Sequence, residues 1–235
     1  MNLTTFRRKT MRLIRPRLHG AAILLVAACT ITALAQTAAT KLPADINPDS
    51  RARLPYLQRK NLDEAGQKIF DVLPGRSPDG VLSGPLAFAA YNPAVAKALF
   101  DLHNAAVAGT LNAHVRELAI MVACRETNYN LEWNGHEATA LRSGVDAKVI
   151  DIVRRGAPLT GIGEEDATVI RFGRQLYTDK KVDSATFAKA VELFGQRGVM
   201  DMVAVMNTYA VSGFYGIAVD EQAAAGKTPL EQIKR

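Results

Sequence analysis

The chain has 235 residues and a formal net charge of +6, which at first suggests a nucleic-acid partner. Six of its 29 basic residues, however, lie in residues 1–35, which contain no acidic one. The remaining 23 basic residues equal the 23 acidic ones, so the rest of the chain is formally neutral and no nucleic-acid surface is implied.

The leader combines a cationic segment (Arg7, Arg8, Lys9, Arg12, Arg15, Arg17) with an uncharged run over 21–35 that ends in Ala33-Leu34-Ala35. That is the layout of a cleavable signal peptide over residues 1–35. The run is shorter than the about 20 residues a membrane-spanning helix needs. Met11 offers an alternative start. Val26-Ala27-Ala28-Cys29 resembles a lipoprotein processing site, which would leave the domain lipid-anchored through Cys29, and an uncleaved anchor is a third form. All three place the folded part outside the cytoplasm, periplasmic or secreted. With Cys29 removed or lipidated only Cys124 remains, so no intramolecular disulfide is expected.

Residues 36–60 are polar, carry prolines at 43, 48 and 55, and read as a linker. From Asn61 the pattern becomes helical. Asn61 with Glu64 three residues on predicts a capped helix start running towards Val72. Pro93 suits the first turn of a helix ending near Val107, and another helix is expected over 113–127, apolar on every side at 118–124. The next helix carries Glu132, Trp133 and His136 and stops at Gly144. Helices are further expected at 146–155, 164–177, 184–196 and 200–217. Asp201, Asn207 and Ser212 mark the last as a buried helix and not a membrane span. No segment alternates like a strand. The expectation is an all-α single domain over 61–225, followed by a tail over 226–235.

Chemistry concentrates in residues 116–144. Glu132 and His136 are four apart, so on a helix they share a face. A carboxylate beside an imidazole can act as a proton-transfer pair, with Glu117 on the preceding helix folded against it. The same spacing also fits an ordinary surface pair, Glu117 beside Arg116 fits a first-turn charge, and Trp133 fits a packing anchor as well as a ligand-stacking group. Reading Glu132, His136 and Glu137 as metal ligands lacks a third and fourth partner, so no metal is expected. His103 and His114 read as exposed helix residues.

The blocks GPLAFAAYNPAVAKAL, RELAIMVACRETNYNLEWNGHEATALRSGV and GQRGVMDMVAVMNTYAVSGF, within 84–219, resemble the carboxymuconolactone decarboxylase family of the alkylhydroperoxidase D-like superfamily. The resemblance implies an all-helical bundle that assembles as trimers or hexamers and uses no cofactor. Peroxidases of the superfamily carry a Cys-x-x-Cys pair before the histidine. Here Tyr129 and Glu132 stand at those positions, while His136 and Glu117 match the family's histidine and glutamate. A peroxiredoxin or alkylhydroperoxidase activity is therefore disfavoured. The decarboxylase branch implies a lyase acting on a small carboxylated or cyclic molecule, with His136, Glu132 and Glu117 as catalytic residues and Arg116 and Trp133 as substrate-binding ones. A non-catalytic ligand-binding protein is the remaining alternative.

Overall fold

The computed structural model describes residues 42–75, 77–84, 86–223, 227 and 229–233. The expected signal peptide and the Cys29 site lie outside the described residues.

Among the described residues seven α-helices form: α1 (Glu64–Phe70), α2 (Pro93–Val107), α3 (Ala113–Glu126), α4 (Asn130–Arg142), α5 (Ala147–Arg155), α6 (Glu164–Arg174) and α7 (Ser184–Ala218). No strand forms among them beyond isolated bridges. Short side chains set most helix starts. Asn92, Asn112, Asp146 and Asp183 each accept a backbone N–H of the first turn. The first helix departs from expectation: Asp63, not Asn61, is its cap and accepts from Gly66 N at 2.7 Å, while Asn61 closes a preceding 3-10 turn. Gly144 (φ 89°) follows the end of α4 in the left-handed region, where a side chain would be strained. Gly195 (φ 69°, ψ 167°) breaks α7 close to the gap expected between two helices, in a region open essentially to glycine alone.

α3 is the central element and packs against α4, α5, α6 and α7. Its residues 117–125 are all buried, which explains why 118–124 are apolar all the way round. Two close approaches fix its surroundings. A Cβ on Gly173 of α6 would stand 2.3 Å from Val122 Cγ1, and one on Gly216 of α7 would stand 2.1 Å from Tyr129 Cε2. His114, expected to be exposed, is partly buried instead, its Nε2 2.6 Å from Asp166 Oδ1 across the starts of α3 and α6. His103, expected to be exposed as well, is also partly buried, because the α2 face that carries it packs towards α7.

The expected linker and tail are corrected by their packing. Within residues 42–60, Ile46, Ala52 and Leu57 are buried, Arg53 N donates to Val219 O, and Tyr56 stacks on Phe88. At the other end Leu230 joins the main core, and its N–H donates to Asn130 Oδ1. Both segments bury apolar side chains in irregular backbone, so no 3.6- or 2-residue period announces them.

These contacts predict opposite outcomes for two helical glycines. Gly216→Ala forces the Tyr129 ring off its seat and lowers stability by about 1–3 kcal/mol despite the better helix former. Gly135→Ala, in open space on the exposed side of α4, raises it by up to about 1 kcal/mol. Urea unfolding of both variants measures the contrast.

Candidate active site

The turn between α3 and α4 brings Glu117 and the Glu132–His136 face together. Asn128 adopts a left-handed conformation (φ 55°), and Tyr129 N donates to Cys124 O at 2.9 Å, so the chain reverses within three residues. Glu117 and Glu132 are only 6% and 5% exposed, which sets aside a solvated surface pair. His136 lies between them. Its Nδ1 is 2.9 Å from Glu117 Oε2 and its Nε2 is 3.6 Å from Glu132 Oε2. The first distance is a hydrogen bond; the second is an ion-pair distance too long for one. A carboxylate at Glu117 accepts from Nδ1–H, which fixes the ring and turns Nε2 towards Glu132.

The Tyr209 ring of α7 meets His136 edge-on at 4.9 Å between centroids and sits 5.6 Å from the His103 ring of α2. Leu86, Phe100, His103, Glu132, His136, Tyr209 and Ser212 line a cavity of about 340 Å³, in the lower range of small-molecule sites. Burial pushes the Glu132 carboxyl up to about 7, against the charge of His136 and the Ser212 hydroxyl, which lower it, with the Glu221 carboxylate raising it further. Glu132 therefore changes protonation state near neutral pH, as a group that gives and takes protons must. Burial likewise raises the Tyr209 phenol, and the charges of Glu132 and Glu117 add to it.

The two expected substrate-binding residues are not among those lining the cavity. Arg116 Nε stands 4.0 Å from Glu117 Oε1, partly buried beside the acid. Trp133 is 1% exposed in the main core, where its Nε1 donates to Glu137 Oε2 and the Arg154 guanidinium lies 5.0 Å over its ring. Glu137 in turn pairs with Arg154. The packing role weighed for Trp133 is the one the structure displays. Among the described residues no group of three His, Cys, Asp or Glu side chains stands at metal-holding spacing.

Sequence reasoning missed His103, Tyr209 and Ser212 as site residues. Their one legible signal was spacing: Phe100 with His103, and Tyr209 with Ser212, each three apart on a helix.

Tyr129 and Glu132, at the positions of the peroxidase cysteines, have other occupations. The Tyr129 hydroxyl donates to the partly buried Glu221 carboxylate, and Glu132 faces the cavity. Cys124 is fully buried, and burial, reinforced by the charges of Glu132 and Glu117, pushes its thiol well above the usual range. A thiol-reactive dye is expected to leave Cys124 unmodified in the native protein and to label it fully in denaturant. Peroxide treatment likewise yields no sulfenic acid there.

No protein-family model and no curated protein matches this sequence. Among solved structures, the alkylhydroperoxidase AhpD core of Ralstonia eutropha JMP134, described as an uncharacterized peroxidase-related protein, is similar in fold. It is 20% identical, with a TM-score of 0.55, and the match covers 76% of this chain and 98% of that one. The likeness establishes the alkylhydroperoxidase D-type helical fold.

Proposed function

We propose that the chain is a cofactor-free acid–base enzyme that delivers a proton to a carbanion-like carbon of a small cyclic or carboxylated molecule held in the cavity. The observation that supports this reading is Glu132, buried, poised near pH 7 and set beside Nε2 of His136 on the cavity wall. A decarboxylase-type lyase, which the sequence resemblance implies, makes such a carbon by losing carbon dioxide, the C–C bonding pair remaining as an enolate. A keto–enol isomerase presents the same carbon as an enol, which passes its O–H proton to solvent as the carbonyl forms. In both, the Glu132 carboxylic acid gives its proton to carbon and becomes a carboxylate. His136, held by Glu117, faces the new charge. A positioned acid of this kind is worth about 10²–10⁴ in rate.

Peroxidase activity, suggested by the description of the Ralstonia protein, is disfavoured because no Cys-x-x-Cys pair stands beside His136 and Cys124 is buried. Export and self-association as trimers or hexamers belong to the proposed reading. The test is incubation of the purified chain with a small-metabolite pool, followed by mass spectrometry, with Glu132→Gln and His136→Ala in parallel. Product signals lost in both variants are expected. A pool left unchanged by the unmodified chain rejects the enzyme reading.

A further inference from the structure

The cavity wall is unevenly equipped. Leu86, Phe100 and the Tyr209 ring are apolar, Glu132 and His136 form the acid–base side, and His103 and Ser212 supply the remaining polar groups. Among the described residues no Lys or Arg lines it. Arg116, the cation expected to take a substrate carboxylate, lies beside Glu117 instead. An anion entering this space would shed its hydration with no Lys or Arg to replace it, since the His136 imidazole is already set between two carboxyl groups, and would meet the field of Glu132 backed by Glu117.

His103 is the feature the acid–base pair leaves unused. It reaches the cavity from α2 and leans on the Tyr209 ring, and among the described residues no protein group hydrogen-bonds its imidazole. Burial, with the charge of His136 adding to it, pushes that imidazole down, so it sits in the cavity as a neutral ring with one N–H to donate. Ser212 has its own partner in Thr208 O, at 3.4 Å. A ligand oxygen therefore finds an uncommitted donor at His103.

We infer that the cavity takes an uncharged compound of single-ring size whose protonation at carbon yields a carbonyl, the carbonyl oxygen accepting a hydrogen bond from His103 while that carbon faces Glu132 and His136. This rests on the acid–base reading and narrows its substrate from cyclic or carboxylated molecules to uncharged ones. His103 thereby becomes a substrate-orienting residue, and the isomerase form of the proton transfer becomes the favoured one.

Calorimetric titration of the purified chain at pH 7.5 with methyl benzoate, benzoate, benzylamine and toluene tests the assignment without requiring turnover. Methyl benzoate is expected to bind at least about tenfold more tightly than benzoate or benzylamine. His103→Leu is expected to weaken methyl benzoate about five- to tenfold, the worth of one hydrogen bond, while leaving toluene within about twofold. His103→Gln, which keeps a donor, recovers most of that loss. Tighter binding of benzoate or benzylamine overturns the proposal, as does an equal loss for toluene and methyl benzoate in His103→Leu, or no binding of methyl benzoate up to its solubility. Benzoate binding best would leave the acid–base reading standing in its carboxylate form. The expected binding order without turnover of any metabolite would reject the enzyme reading alone.

Discussion

Glu132→Gln is expected to stabilise the fold by about 3 kcal/mol at pH 8 and to leave it unchanged at pH 4. In the unfolded chain this carboxyl titrates near 4.5; in the fold, burial raises it to about 7. Between those values the folded chain holds a proton that the unfolded chain has released, so stability falls as pH rises through the window. Below 4.5 both states are protonated and Glu132 costs nothing. Above 7 the fold must carry a buried carboxylate, and the accumulated cost is about 1.4 kcal/mol for every tenfold weakening of the acid. Glutamine keeps the shape and never ionises. The burial that raises Glu221 is common to both proteins and cancels from the comparison, while its repulsion of the Glu132 carboxylate is part of what the substitution removes. Urea unfolding from pH 4 to 8 should therefore show two curves that coincide in acid and diverge towards base. Parallel curves would mean that Glu132 titrates like a surface carboxylate and that the site is open to water. A natural site that gives up this much stability is behaving as functional sites do, holding a charge where folding alone would not place one.

Most of the helical frame was legible because its punctuation is local. Pro93 and Gly144 act within a few residues of the helix ends they set, as do the caps Asn92 and Asp146 that the structure shows. The Glu132–His136 pair was legible for the same reason, since four residues on a helix is one turn. Glu117 could be named as a partner from its place on the preceding helix, but not its distance to His136, because that contact spans 19 residues and depends on how sharply the chain turns at Asn128. The opposite wall was not readable. His103 and Tyr209 are 106 positions apart, and only the packing of α2 against α7 makes them neighbours. Helical rotation decides between the two roles weighed for Trp133. A tryptophan next to two acid–base residues on one helix points some 100° away from Glu132, and so enters the core under Arg154 instead of the cavity. Adjacency in sequence made it look like a ligand contact, and helical rotation removed it.

Once a substrate is in hand, Glu132→Gln is expected to lower kcat/KM by about 10²–10⁴, the range for a positioned proton donor. The unmodified protein should also show a limb in its pH–rate profile with a midpoint near 7, and activity should fall as pH rises through it. Delivery of a proton to carbon requires the carboxylic acid, which is the form present below that midpoint. A limb rising through the same pH would make Glu132 the base that removes a proton, and the reaction would run from the keto side. Glu117→Gln separates chemistry from positioning. The amide introduced by that substitution still offers Nδ1–H of His136 an oxygen at the 2.9 Å contact but no longer a charge. The limb should persist in that variant with kcat reduced, whereas in Glu132→Gln it should vanish. If instead the limb survives Glu132→Gln unaltered, the titrating group is not Glu132, and the proton must come from another side chain of the cavity wall.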